Sequence, residues 1–275
     1  MRVRVEPDVE LEVEVVGDGP ELVWLHGLSG NLADGRPVVE RLAQRFRVLH
    51  YSTRGHGRST PLLDRGRYGY HRIAADLSTV LDEVGFTRPL LVGGSHGANT
   101  ILRHEADFPG RARGLLLIAP GGNALRRPPA PQFALLRLSL WRGSRRGLDG
   151  LIELCTGFHP EDPRADPHLV TAMRTHDLSS LRVAMRRIPD QRAVDPAALP
   201  AFAVPTHVLA WDGDPVIHPI AVARRVAELV PGASFAEIER VEGLTSTQVA
   251  EVAAGEIHRW ADDVLRADPT STRAS

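Results

Sequence analysis

Lysine is absent from this sequence of 275 residues, and all 33 basic side chains are arginine. Without lysine, no side-chain amine is available to form a Schiff base or to act as a general base. Cysteine is nearly absent as well, because Cys155 stands alone, which excludes a disulfide framework and a cysteine metal site. We therefore expect no imine chemistry, no metal site and no other cofactor.

Strong net charge and long apolar runs are also missing. The net charge is −1, so nothing global favours binding to nucleic acid or to a membrane surface. No apolar run approaches the length of a membrane span, and the segment Met1–Val5 lacks the apolar stretch of a signal peptide. We expect a cytoplasmic protein that acts on a small molecule. The sequence does not indicate an oligomeric state.

Short apolar runs alternate with helical patterns along most of the chain. The first 16 residues alternate between apolar and charged side chains, which predicts an antiparallel hairpin. Helical patterns, the first of them from Pro37 to Arg45, then separate continuous apolar runs, which are typical of strands buried on both faces. These runs are Leu22–Leu25, Val48–Tyr51, Leu90–Val92, Leu115–Ile118 and His207–Trp211. The alternation predicts an α/β fold with a doubly wound, mostly parallel sheet.

The alternation stops between about residues 123 and 203, in a segment rich in arginine, proline and leucine. Because it lies between two predicted sheet strands, we predict a helical lid insertion over residues 123–203. The core then comprises residues 1–122 and 204–266, and residues 267–275 form a disordered tail.

The pentapeptide Gly93–Gly97 follows a predicted buried strand and opens a predicted helix. A serine in this G-x-S-x-G context projects its hydroxyl from a turn so tight that its neighbours must be small. Gly93, Gly97 and Ala98 meet that demand, and Ser95 would lie at the positive end of a helix. The pattern predicts a nucleophile elbow, although a glycine-rich turn that happens to contain serine is the alternative.

A second glycine-rich turn, His26–Gly30, comes directly after the first buried strand. A turn of this kind supplies a backbone N–H to a developing oxyanion, and the residue after the nucleophile supplies another. The predicted donors are the amides of Leu28 and His96. His26 itself is expected to make structural hydrogen bonds, and a loop without catalytic role is the alternative for this motif.

With these two motifs, residues 20–122 and, more weakly, 205–265 resemble the α/β-hydrolase superfamily, in particular its single-domain esterase, lactonase and haloperoxidase-like branch. The segment Arg54–Ser59 is similar to the family's D-x-R-G-x-G-x-S loop, with Ser52 in place of the aspartate. The resemblance implies hydrolysis of an ester, a thioester or a lactone.

The resemblance also implies an acid after the strand that follows the lid and a histidine after the last strand. Asp214 aligns best with the acid, and Asp212 is the second choice. Leu244 occupies the position of the histidine, and no histidine lies between His218 and His258. The catalytic triad is therefore expected to be incomplete, and Ser95 is expected to lack a general base from this position.

Three explanations of the missing histidine stay open. A base could come from elsewhere, either from His218 or from a lid residue such as His159, His168 or His176. The enzyme could catalyse an elimination, an isomerisation or a cyclisation that needs no acyl-enzyme. The protein could also bind a ligand without catalysis.

The predicted lid carries arginines without acidic neighbours over residues 125–146, namely Arg126, Arg127, Arg137, Arg142, Arg145 and Arg146. Such a rim suits an anionic or carrier-bound acyl substrate, and a solvated helix face explains it equally well.

Overall fold

The first 16 residues form the predicted hairpin. The computed structural model describes residues 1–126, 130–211, 217–238 and 246–267. Strands β1 (Arg2–Glu6) and β2 (Val9–Val16) pair antiparallel, and the apolar side chains of β2 alternate into the core. The hairpin joins the main sheet because β2 also pairs antiparallel with β4.

The sheet of the described residues has eight strands in the order β1-β2-β4-β3-β5-β6-β7-β8. All pairs from β4 to β8 are parallel, as predicted from the continuous apolar runs. The strands beyond the hairpin are β3 (Glu21–Leu25), β4 (Arg47–Tyr51), β5 (Leu90–Gly94), β6 (Gly114–Ile118), β7 (Thr206–Trp211) and β8 (Ser234–Ile238). This is the predicted α/β-hydrolase architecture, in which parallel strands bring their carboxyl ends to one edge.

Helices cover both faces of the sheet. Helices α1 and α9 pack against one apolar cluster, and helices α2, α3 and α8 pack against the other. In chain order the helices are α1 (Leu32–Leu42), α2 (Tyr70–Val84), α3 (His96–Asp107), α4 (Ala130–Arg145), α5 (Gly147–Thr156), α6 (Pro167–Met173), α7 (Leu178–Arg187), α8 (Ile220–Leu229) and α9 (Ser246–Ala267). None of the described helices is long and apolar enough to cross a membrane.

Helix α1 begins earlier than its pattern suggests. The sequence predicts a start at Pro37, whereas the helix begins at Leu32 and Pro37 lies inside it. The side chain of Asn31 accepts a hydrogen bond from the Asp34 N–H and caps the first turn. The cap therefore sets the start of the helix five residues before the proline.

Helices α4 to α7 lie between β6 and β7, in the segment predicted as an insertion. They enclose an apolar cluster of their own, which includes Leu151, Met173 and Leu181. Both ends of the insertion are joined by backbone hydrogen bonds from Ala193 N–H to Asn123 O (3.0 Å) and from Val194 N–H to Ala124 O (3.1 Å). The domain boundaries and the role of the insertion as a lid stay predictions, and residues 268–275 of the predicted tail lie outside the described residues.

The start of helix α3 packs against the end of strand β3 without room for a side chain. A Cβ atom added to Gly97 would lie 2.3 Å from the Leu25 carbonyl oxygen, and one added to Gly93 would lie 2.7 Å from the Gly97 carbonyl carbon. A Cβ atom added to Gly94 meets nothing within 4 Å. Gly94 is therefore a matched control for the contact at Gly97.

Gly97→Ala should lower the free energy of unfolding by about 1–3 kcal/mol, because the new methyl group meets backbone that cannot rotate away. Gly94→Ala should change it by less than about 1 kcal/mol. Urea unfolding of the two variants and the wild type measures the difference. Equal effects at both positions would show that the close approach of α3 to β3 does not limit side-chain size.

Candidate active site

Ser95 is the single residue between the end of β5 and the start of α3. Its backbone has φ 53° and ψ −110°, a conformation that residues other than glycine rarely adopt. The Ser95 N–H donates to Ile118 O at 2.8 Å, which ties the turn to β6. The predicted strand-to-helix turn with a positive φ is therefore present at Ser95, and the role of Ser95 as a nucleophile stays a prediction.

A histidine lies within hydrogen-bond distance of Ser95, because His218 Nε2 is 2.8 Å from Ser95 Oγ. Of the three explanations of the missing histidine, this contact favours the one in which a base comes from elsewhere, and the role of His218 as that base stays a prediction. His218 follows β7 and precedes Pro219, the N-cap residue of α8. The Gly122 N–H donates to Ile217 O at 2.8 Å and ties this segment to the chain after β6.

The other predicted triad positions cannot be placed against this pair. Asp214, the first choice for the acid, lies outside the described residues, as do Asp212 and Leu244. Their assignments therefore stay predictions. The pair of Ser95 and His218 comes from loops after β5 and β7, which end at the same edge of the parallel sheet.

The loop His26–Gly30 faces the turn at Ser95. A Cβ atom on Gly27 would lie 3.9 Å from Ser95 Cβ. His26 makes structural hydrogen bonds, as expected: its Nδ1 lies 2.7 Å from Gly27 O, and its Nε2 accepts from the Thr53 N–H at 3.0 Å. The predicted oxyanion donors, the amides of Leu28 and His96, belong to this loop and to the residue after Ser95.

A buried polar network runs beneath the turn and links α3 to the insertion. Asn99 Nδ2 donates to Asn123 Oδ1 (2.9 Å) and to the Tyr70 hydroxyl (3.3 Å). Asn123 Nδ2 in turn donates to the carbonyl oxygens of Ile188 (3.1 Å) and Gln191 (2.8 Å), near the end of the insertion. No sequence motif indicates this network, because its residues are far apart in the chain.

The side chain of His96 joins the same network. Its Nδ1 lies 3.3 Å from the Tyr70 hydroxyl, whose other contacts in the described residues are amide nitrogens that can only donate. The Tyr70 proton therefore points to Nδ1, and the single proton of the neutral His96 ring is on Nε2. Burial, with a smaller contribution from His56, lowers the pKa of His96 to about 3, so the ring is neutral at physiological pH.

Four buried histidines lie close together at the loop His26–Gly30, namely His26, His56, His96 and His176. The His56 ring lies 5.3 Å from the His26 ring, 6.3 Å from the His96 ring and 5.8 Å from the His176 ring. Burial lowers the pKa of each of them, to about 3 for His176. His176, one of the insertion histidines considered as a base, instead contacts Gly57 and Ser29.

Two of the six arginines over residues 125–146 have partners within the described part of the chain. Arg146 pairs with Glu153 at 2.7 Å, and the Arg145 guanidinium lies 5.1 Å from the centre of the Trp141 ring. Arg127 and the side chain of Arg137 lie outside the described part of the chain. An anion-binding rim stays a prediction, and Arg145 and Arg146 are less available to it because they already contact other side chains.

Known proteins are similar to this chain in sequence and in fold. A family model described as "alpha/beta hydrolase fold" matches residues 20–159. The chain belongs to the α/β-hydrolase superfamily. It is 27% identical over 227 residues to a putative carbamate hydrolase of Caulobacter segnis, and the aligned region covers 80% of this chain and 83% of that protein.

Solved structures of α/β hydrolases share the fold along nearly the whole chain. The enol-lactonase of Burkholderia xenovorans LB400 matches with a TM-score of 0.77 and 20% identity, over 94% of this chain and 99% of its own. A thermophilic esterase of Thermogutta terrifontis matches with a TM-score of 0.75 and 21% identity, over 96% and 98%. At these identities the two likenesses establish the fold alone.

The stability of this α/β hydrolase should fall as the pH drops below about 6.5. Burial lowers the pKa of His96 and His176 to about 3 and that of His104 to about 4, whereas an unfolded chain titrates near 6.5. Between these values the unfolded state binds more protons, so acid favours unfolding. From pH 7.0 to 5.5, each such histidine should cost about 1 kcal/mol.

Urea unfolding of the wild type and of His104→Leu at the two pH values checks this effect. Both ring nitrogens of His104 are buried without a hydrogen-bond partner in the described structure, so leucine should be tolerated there. The variant should lose about 1 kcal/mol less than the wild type on acidification. Equal losses would mean that His104 titrates normally in the folded protein.

Proposed function

We propose that this protein is a serine hydrolase that cleaves a small ester, thioester or lactone through Ser95, with His218 as its general base. The observation that supports the proposal is the 2.8 Å distance between Ser95 Oγ and His218 Nε2. This distance is within the range required for proton transfer from a nucleophile to its base.

The proposed reaction proceeds through an acyl-enzyme. Ser95 Oγ gives its proton to His218 Nε2 as it attacks the carbonyl carbon of the substrate. The amides of Leu28 and His96 donate hydrogen bonds to the oxygen that becomes negative, and the N-terminus of α3 favours the same charge. His218 then protonates the leaving group, and a water molecule activated by His218 releases the acyl group.

Asp214 is proposed as the acid that orients His218 through its Nδ1 atom. The two residues are four positions apart in the sequence. In triads of this type the carboxylate fixes the tautomer of the imidazole and stabilises its charged form. A single short loop would then supply both the acid and the base.

The alternatives of non-hydrolytic catalysis and of ligand binding without catalysis were motivated by the absence of a histidine for Ser95. The contact between Ser95 and His218 removes that motivation. Acyl transfer is therefore the proposal that uses the whole arrangement: the turn at Ser95, the loop that faces it, and the histidine.

Ser95 should react with a fluorophosphonate probe, and His218→Gln should reduce both labelling and p-nitrophenyl ester hydrolysis by about 10⁴-fold or more, because the nucleophile loses its base. Ser95→Ala should abolish labelling. His207→Gln is the matched control, since His207 lies on β7 and contacts Ser234. Rapid labelling of His218→Gln, or of Ser95→Ala, would contradict the proposal.

Asp214→Asn should lower kcat by about 10³–10⁴-fold, because the amide cannot stabilise the charged imidazole. Asp212→Asn should lower it less than tenfold. Steady-state kinetics of the two variants on the same ester assigns the acid. The reverse ranking would assign the acid to Asp212.

A further inference from the structure

Three successive carbonyl groups of the loop after β3 each contact a different histidine. Gly27 O lies 2.7 Å from His26 Nδ1, Leu28 O lies 2.9 Å from His56 Nε2, and Ser29 O lies 3.2 Å from His176 Nε2. The three histidines come from the loop itself, from the loop after β4 and from the insertion. A histidine therefore holds each of the three carbonyl groups of residues 27–29.

The hydrogen bonds to the other ring nitrogens show where His26 and His176 carry their protons. The Thr53 N–H donates to His26 Nε2, so the proton of the neutral ring is on Nδ1 and points to Gly27 O. The Gly57 N–H donates to His176 Nδ1 at 2.9 Å, so the proton of that ring is on Nε2.

Ser29 O is the acceptor for the His176 proton. The Asn31 amide nitrogen also lies 2.9 Å from His176 Nε2, but its two protons have other acceptors, Ala172 O at 2.9 Å and Thr175 Oγ1 at 3.3 Å. Burial lowers the pKa of both His26 and His176, which keeps each ring neutral and preserves one donor and one acceptor on each.

A relay of peptide groups connects His176 to the proposed oxyanion donor. In a planar trans peptide, the C=O and the next N–H point in opposite directions, so holding one fixes the other. His176 holds Ser29 O and thereby orients the Gly30 N–H, which donates to Gly27 O at 3.0 Å. Gly27 O also receives the His26 proton, and the N–H of the same peptide is that of Leu28.

We propose that His176 is a positioning residue that, through the loop also held by His26, aims the Leu28 N–H at the reacting carbonyl, so that seating of the insertion on the core completes the oxyanion site. This inference rests on the proposed function. It gives the insertion a direct effect on the reaction, because His176 lies between α6 and α7 in the insertion and contacts the loop after β3 in the core.

The closing experiment compares His176→Phe, His176→Gln and the control Ser180→Ala. Phenylalanine keeps a ring but removes both hydrogen bonds, whereas glutamine keeps an N–H donor. Ser180 also joins the insertion to the core, through Gly55 O at 3.0 Å, but contacts no carbonyl of the loop after β3. The substrates are p-nitrophenyl butyrate and its thionoester, whose sulfur is a weak acceptor in the oxyanion site.

His176→Phe should lower kcat for the oxoester about tenfold, with a smaller effect on the thionoester and on KM, because the disturbed Leu28 N–H acts on the developing negative charge and not on substrate binding. The ratio of oxoester to thionoester rates should therefore fall in His176→Phe, recover at least in part in His176→Gln, and stay at the wild-type value in Ser180→Ala. An unchanged ratio in a folded, active His176→Phe would overturn the inference and leave the proposed function intact.

Nitrogen-15 NMR of the wild-type imidazoles tests the arrangement without a variant. His176 should carry its proton on Nε2 and His26 on Nδ1, and the opposite tautomer at either ring would overturn the inference. If the wild type hydrolyses neither ester and Ser95 is not labelled by the fluorophosphonate, the proposed function fails. The NMR result still decides on the histidine contacts in that case.

Discussion

The close approach of Gly97 to the Leu25 carbonyl oxygen is the constraint on which the site depends. A methyl group at Gly97 would lie 2.3 Å from that oxygen, so the first turn of α3 can lie against the end of β3 only if it lacks a side chain there. Because Ser95 comes two residues before Gly97 and the loop His26–Gly30 comes directly after Leu25, this one contact brings the turn at Ser95 and the loop together. The strained backbone of Ser95 is the local cost of that arrangement.

The position of His218 is consistent with the topology of the sheet. The resemblance to the family places a histidine after the last strand, whereas the histidine that contacts Ser95 follows β7. Strands β7 and β8 are parallel neighbours, so both strands end at the same edge of the sheet. A histidine that follows β7 therefore starts from the same edge as one that follows β8, and no change of the sheet is needed. Geometry, and not position in the sequence, decides which group can act on the serine.

Local pattern was enough to predict the hairpin, a mostly parallel sheet and the turn at Ser95, because apolar runs and small residues report burial within one element, but it did not predict the order of the strands. It misplaced the start of α1, where the Asn31 side chain outweighed the signal from Pro37. It gave His218 only as one of several alternatives, and it missed the bonds from Asn99 to Asn123 and from His176 to Ser29. Those partners are 24 and 147 residues apart, and no periodicity carries information about contacts over such separations.

Buried polar groups bind the insertion to the core at several places, and two of these places affect different parts of the site. At one, Asn123 joins the ends of the insertion to Asn99 on the helix that begins after Ser95. At the other, His176 joins the middle of the insertion to the loop that faces Ser95. Buried polar groups are costly when they lose their partners, so lifting the insertion would expose both sets to water or leave them unsatisfied. The seated insertion is therefore the arrangement in which the serine turn and the loop opposite it are both held in place.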